Sequence, residues 1–195
     1  MNQQEKVKRI FSTNPIKGNF CHLYHVEKSD AQFIYDLRMK RGQYLKAMGA
    51  GVAEQEKYLE GYLERFKNGE EIYYKMFDPK KNQFCGVTRF TKLQDETNFG
   101  FESGVMYEDA SPNIYTDAMF MILRMGFEYL DRPMSGPWTV DVANERMIKL
   151  HKLVNIGKVS EITDKYYILY AKQEDYKKNI GKFLNMKFGA LGGLL

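Results

Sequence analysis

Residues 138–153 constrain this chain most, because two different periodicities meet there at a single residue. Trp138, Val140 and Val142 alternate with Thr139 and Asp141, which is the period-2 pattern of a strand with two chemically distinct faces. Asn144 then reads as a helix N-cap. Its side-chain oxygen is suited to accept from a first-turn N–H, and Glu145 adds negative charge where the helix dipole favours it. A strand that feeds a capped helix sets its carboxyl end and the helix N-terminus at one edge of a sheet. Ligands of open α/β sheets collect at such edges.

A chain of 195 residues fits one domain with a core large enough to stand without disulfides or metal. Cys21 and Cys85 form no CxxC pair and only three histidines are present, so no metal site is expected. No apolar run approaches the roughly 18 residues of a membrane helix. The first residues lack the apolar core of a signal peptide, so a cytoplasmic location is expected. The 29 basic residues are interleaved with 25 acidic ones, which argues against nucleic acid as a partner.

Periodicity divides the rest. Residues 1–19 read as a loose N-terminal arm, and residues 21–26 as a first strand. A helix capped at Ser29 and Asp30 carries Phe33, Ile34 and Leu37 on one stripe. Gly42, Gly49 and Gly51 punctuate a connector, and residues 53–67 repeat apolar positions at helical spacing before Asn68 and Gly69 stop them. Residues 72–77, 84–93 and 99–107 read as a meander of strands. Residues 115–130 are apolar nearly all round, the mark of a buried helix, and Gly126 within it suggests close approach to a sheet. After 131–137 come the strand and helix described first, then strands at 158–161 and 166–171, with 173–195 as a C-terminal tail. The order is β-α-α-β-β-β-α-β-α-β-β.

That order resembles the GNAT superfamily of acyl-CoA-dependent N-acyltransferases over residues 20–172. The match is closest at 140–152, where Asn144, Met147, Leu150, His151 and Lys152 stand in the places of the family's Asn, its apolar residue, its Leu-aromatic pair and its basic residue. The resemblance implies an α/β (α+β) fold with a central mixed, mostly antiparallel sheet flanked by helices. It also implies acetyl-CoA as cosubstrate, no metal, and a small-molecule amine as acceptor. The Leu37-Arg38 pair, the Gln55 helix, the Gly86-Val-Thr-Arg89 stretch of its strand and the Gly126-Phe-Glu-Tyr-Leu130 helix end are similar to bacterial enzymes associated with surface-polysaccharide amino sugars, so a nucleotide sugar is one acceptor to expect. A homodimer is a compatible assembly.

Two departures stand out. The family's phosphate-cradling loop has a Gln or Arg followed by Gly-x-Gly or Gly-x-Ala, whereas residues 111–118 here contain no glycine and include the bulky Tyr115. Glu108, Asp109 and Asp117 bring negative charge to the same region, to be offset by Arg124, Lys149 or Lys152. The family's later Gly-Phe reads Gly157-Lys158. A GNAT-like binding or interaction module with a degenerate cofactor loop is therefore the alternative reading.

Acyl transfer to an amine needs a base, an oxyanion donor and a proton for the thiolate. Gly104 suggests a bulge around Glu102 that exposes the amide of Val105 or Met106, with Glu102 as a base or as a solvent-facing carboxylate. His151 stands where many family members carry a Tyr that protonates coenzyme A, and it equally suits a helix surface packed on apolar neighbours. Asp141 is a second base candidate or an acceptor ligand. Asn144, Lys149 and Lys152, with the helix start at Asn113, Ile114, Tyr115 and Thr116, are the cofactor-binding candidates. Arg38 and Arg89 are suited to pair with a pyrophosphate on the acceptor, or to act as plain surface cations.

Overall fold

The computed structural model describes residues 1–41 and 51–194, so the connector glycines Gly42 and Gly49 lie outside the described residues. Its elements run α1 (Gln3–Ser12), β1 (Ile16–Lys17), β2 (His22–His25), α2 (Ala31–Arg41), α3 (Val52–Lys67), β3 (Glu71–Asp78), β4 (Gln83–Thr91) and β5 (Asn98–Met106). They continue with α4 (Pro112–Arg124), β6 (Met134–Asp141), α5 (Glu145–Val154), β7 (Gly157–Ile162), β8 (Tyr166–Lys172), α6 (Gln173–Asn179) and α7 (Gly181–Asn185). The strands form one sheet in the order β1-β2-β3-β4-β5-β6-β8-β7. Every neighbouring pair is antiparallel except β5 and β6, which run parallel. The expected order of elements is present, with α1 and β1 added before it and α6 and α7 after it. No helix among the described residues is long and apolar enough to cross a membrane.

Alternation along the central strands sorts side chains to two faces. Ile72, Tyr74 and Met76 of β3 join the core under α4, with Phe90, Phe99, Phe101 and Phe120. Tyr73 joins a smaller cluster with Ile34, Leu37, Leu59 and Tyr62 of α2 and α3. The sheet is thus covered on both sides at its centre, which explains why β3 is buried along nearly its whole length. Past Arg124, α4 continues into a π-helical turn (Met125–Tyr129). A Cβ on Gly126 would stand 2.3 Å from the Phe99 ring, so that glycine lets the helix rest on the sheet.

The ends of the chain differ from the sequence expectation. In place of a loose arm, residues 3–12 form a helix closed by a capping box between Asn2 and Glu5, with Ile10 buried in the core. The tail packs too. Phe183 and Phe188 lie against Phe120, and Gly192 exchanges two backbone hydrogen bonds with Lys17, which covers the outer edge of β1. Patterning could not show this, because a short polar helix and a glycine-rich tail become ordered only through contacts made far along the chain.

Asp117 ties these parts together. Fully buried on α4, it accepts from the backbone N–H groups of Phe20 (2.6 Å), Cys21 (2.9 Å) and Gly189 (2.6 Å). Burial pushes its carboxyl above the usual carboxylate range, and the backbone donors oppose that rise. Asp117→Ala leaves all three donors without this acceptor. At about 1–3 kcal/mol for each orphaned group, the loss of stability should be at least about 3 kcal/mol. Urea denaturation checks this, and an unchanged midpoint would show that the junction contributes nothing.

Candidate active site

β5 and β6 are paired only at Asn98 with Met134 and Phe99 with Ser135, after which the two strands separate. Each strand carries an irregularity just beyond that point. On β5, Val105 faces Val87 and Glu102 faces Arg89, so Ser103 and Gly104 together oppose the single residue Thr88. A Cβ on Gly104 would lie 1.4 Å from the Val87 carbonyl oxygen, a distance that only glycine avoids. On β6, Gly136 and Pro137 occupy the bulge between Ser135 and Trp138. Pro137 has no N–H with which to continue a ladder toward β5. The Gly136 carbonyl instead accepts from Lys92 Nζ (2.9 Å) and Asn98 Nδ2 (2.7 Å), which pins the fork.

The separation opens a cavity of about 710 Å³. Glu102, Val105 and Met106 form its β5 wall, Trp138 and Asp141 its β6 wall, and Tyr115 and Thr116 face it from the start of α4. Asn144, Met147 and Leu150 close it from α5, and Arg38 reaches it from α2. The Tyr107 N–H donates to the Cys85 carbonyl (2.8 Å) across β4. Successive strand amides point to opposite edges, so the Met106 N–H faces the cavity rather than a ladder.

The structure thus brings Arg38, Glu102, Val105, Met106, Tyr115, Thr116, Asp141 and Asn144 to one cavity. Asn144 caps α5, its Oδ1 accepting from the Met147 N–H (3.2 Å), which leaves its amide NH₂ available. Asp141 Oδ1 accepts from the Ala143 N–H (2.9 Å), turning the chain from β6 into α5. Tyr115 is packed into the core at 5% exposure and forms part of the lining of a cavity that stays open.

The other candidates lie elsewhere. Arg89 sits over the rings of Tyr58 (5.0 Å) and Tyr73 (4.5 Å), with Nη1 3.5 Å from Glu102 Oε2. It backs the carboxylate rather than lining the cavity, because the pairing of β4 with β5 sets the two residues directly opposite. Lys149 pairs with Glu145 on the exposed face of α5 (3.2 Å), and Lys152 is exposed outside the cavity lining. Ile114 is a core residue, and the exposed Asn113 gives its N–H to Ser111 Oγ (3.3 Å). Arg124 holds Glu128 (2.9 Å) and the Gly189 carbonyl (2.8 Å), far from the start of its helix. Asp117 is outside the cavity lining, held by the Phe20, Cys21 and Gly189 N–H groups, and Asp109 lies 3.5 Å from Lys81.

His151 is withdrawn behind the β6 wall. It is 6% exposed, its ring is 6.0 Å from that of Trp138, and burial lowers its pKa to about 4. Gly157, the retained half of the expected Gly-Phe pair, sits where a Cβ would meet Trp138 at 2.5 Å. Thr139, Arg146, Tyr166 and Ile168 line the cavity without having been expected there. Tyr166 and Ile168 stand opposite Asp141 and Thr139 across β6 and β8, a register with no local sequence signal. Arg146, two residues past the N-cap, could have been placed from helix geometry.

His151 has a measurable consequence. Its folded pKa lies below the ordinary 6.5, so the unfolded chain binds the proton first as pH falls. His151 therefore costs no stability above pH 6.5, costs progressively more between 6.5 and about 4, and reaches a plateau below that. The plateau is on the order of 3 kcal/mol. His151→Leu should flatten this part of the stability profile measured by denaturant titration, and an unaltered slope would place the lost protons on other groups.

No family model matches this chain, and no curated protein matches it significantly in sequence. Solved structures do match it in shape. FdhC, a nucleotide-linked sugar GNAT, shares 20% identity at a TM-score of 0.74, over 89% of this chain and 98% of that one. Mycobacterium smegmatis RimJ, in complex with CoA-disulfide, shares 13% identity at 0.67, over 89% and 92%. The Vibrio cholerae spermidine/spermine N-acetyltransferase SpeG shares 14% identity at 0.63, over 83% and 98%. The chain has the fold of the GNAT acetyltransferases.

Proposed function

We propose that this GNAT-fold chain is an acyl-CoA-dependent N-acyltransferase that moves an acetyl group from acetyl-CoA to a primary amine. The observation that carries this reading is the open cavity between β5 and β6, with the Met106 amide and the Glu102 carboxylate on one wall. A degenerate binding module with its cleft filled by Tyr115 is disfavoured, since that ring packs into the core.

The residues present fit the pantetheine arm of the cosubstrate. The Asn144 amide NH₂ is placed to meet its carbonyls, and Met147, Leu150 and Trp138 supply apolar walls. When bound, the thioester supplies the activated acyl group. Glu102 takes a proton from the acceptor ammonium, directly or through water, and Arg89 holds that carboxylate from behind. The Met106 N–H donates to the acyl oxygen as negative charge builds on it. With His151 buried and neutral, the phenols Tyr107 and Tyr166, both lining the cavity, are the acids we assign to the departing thiolate. Asp141, which stands opposite Tyr166 across β6 and β8, is the residue we assign to the acceptor, as a ligand or a second base.

For the acceptor, we favour an amino sugar carried on a nucleotide. Arg38 shares the cavity with Glu102, which suits an amine attached to an anionic group. The likeness to a nucleotide-linked sugar GNAT points the same way.

Isothermal titration with acetyl-CoA should show saturable binding, and nucleotide-linked amino sugars should release free thiol from it. Glu102→Gln should lower kcat on the order of 10²–10⁴-fold, the usual contribution of a general base, with acetyl-CoA affinity retained. Absence of binding at millimolar acetyl-CoA would refute the acyltransferase reading.

A further inference from the structure

The start of α4 carries a second message, which rests on the acyltransferase reading and deepens it. A GNAT-like helix start that grips a pyrophosphate needs backbone N–H groups aimed at the ligand. Here those groups are largely engaged. The Ala110 N–H donates to the Tyr107 carbonyl (3.2 Å), and Pro112 has none to give. The Asn113 N–H donates to Ser111 Oγ (3.3 Å), and the Ile114 N–H to the Ser111 carbonyl (3.0 Å). From Tyr115 onward the amides fall within the ladder of the helix itself. Thr116 Oγ1 is likewise turned onto the Pro112 carbonyl (3.0 Å). The approach loop carries the exposed acids Glu108 and Asp109. The α5 side of the cavity, by contrast, presents Asn144, Met147 and Leu150. Arg146, exposed on the first turn of α5 and lining the cavity, is the cation on that wall.

We propose that this chain recognises its acyl donor through the phosphopantetheine portion alone, with Arg146 meeting the phosphate and the adenosine end contributing little. The ligand class is a thioester of 4′-phosphopantetheine. That chemistry is offered equally by coenzyme A and by a phosphopantetheine arm attached to a carrier.

Calorimetric titration of the full-length chain with CoA, 4′-phosphopantetheine and pantetheine tests this without reference to turnover. Phosphopantetheine should bind within about tenfold of CoA, and pantetheine more weakly than either. Arg146→Gln should weaken CoA and phosphopantetheine by a similar factor and leave pantetheine unchanged, with an unaltered thermal midpoint showing that the variant is folded. A preference for CoA over phosphopantetheine of a hundredfold or more would overturn this inference alone, leaving the acyltransferase reading intact. An equal loss of pantetheine binding in Arg146→Gln would overturn the role given to Arg146. Failure of all three ligands to bind would overturn the acyltransferase reading, and this inference with it. A titration with a holo acyl carrier protein then separates the two sources, since only a carrier-borne arm predicts binding tighter than that of free phosphopantetheine.

Discussion

The cavity that forms the candidate site follows from the parting of β5 and β6. Parallel strands that paired along their full length would leave no cleft, and the sheet would be continuous. The ladder stops after Phe99 and Ser135 because each strand then meets a residue that cannot extend it regularly. Gly104 lets β5 bulge so closely over Val87 that no side chain fits, and Pro137 removes a donor from β6. The amides freed by the separation become the polar lining of the cavity. An unpaired backbone N–H is costly in a packed interior, but at a ligand site it is available to the ligand.

The charges around the cleft are divided by the strands that bear them. Arg89 and Glu102 oppose each other across β4 and β5, so one carboxylate reaches the cavity while its cation stays stacked between Tyr58 and Tyr73. Arginine suits this position because its planar guanidinium stacks on aromatic faces while still donating toward a carboxylate. On the far side of the sheet, Asp117 spends its charge on backbone N–H groups from both ends of the chain. The two acids thus differ in setting: Glu102 is exposed at the cavity with a half-buried arginine behind it, whereas Asp117 is fully buried and closes the fold.

Much of the architecture was legible in the order of elements. The meander, the buried central helix and the capped α5 were visible because strand and helix periods differ and Asn144 marks the change between them. The bulge at Gly104 was also legible, since an interior glycine in a strand signals close backbone approach. His151 shows where such reasoning stops. Its position on α5 is as expected, yet its side chain is directed behind Trp138, and helix spacing alone does not say which wall a residue faces once the helix is docked.

The sequence by itself determined the alternation of strands and helices, the cap at Asn144, the bulge and the missing glycines at the start of α4, because these are local properties of neighbouring residues. Only the tertiary structure decided that Arg89 backs Glu102, that Asp117 lies outside the cleft and that Ile10 and Ile16 near one end and Phe183, Phe188 and Leu191 near the other join the core. These depend on which distant segments meet. A buried carboxylate or a polar terminal helix is stable only when the rest of the chain supplies its partners, and those partners lie up to 97 residues away for Asp117.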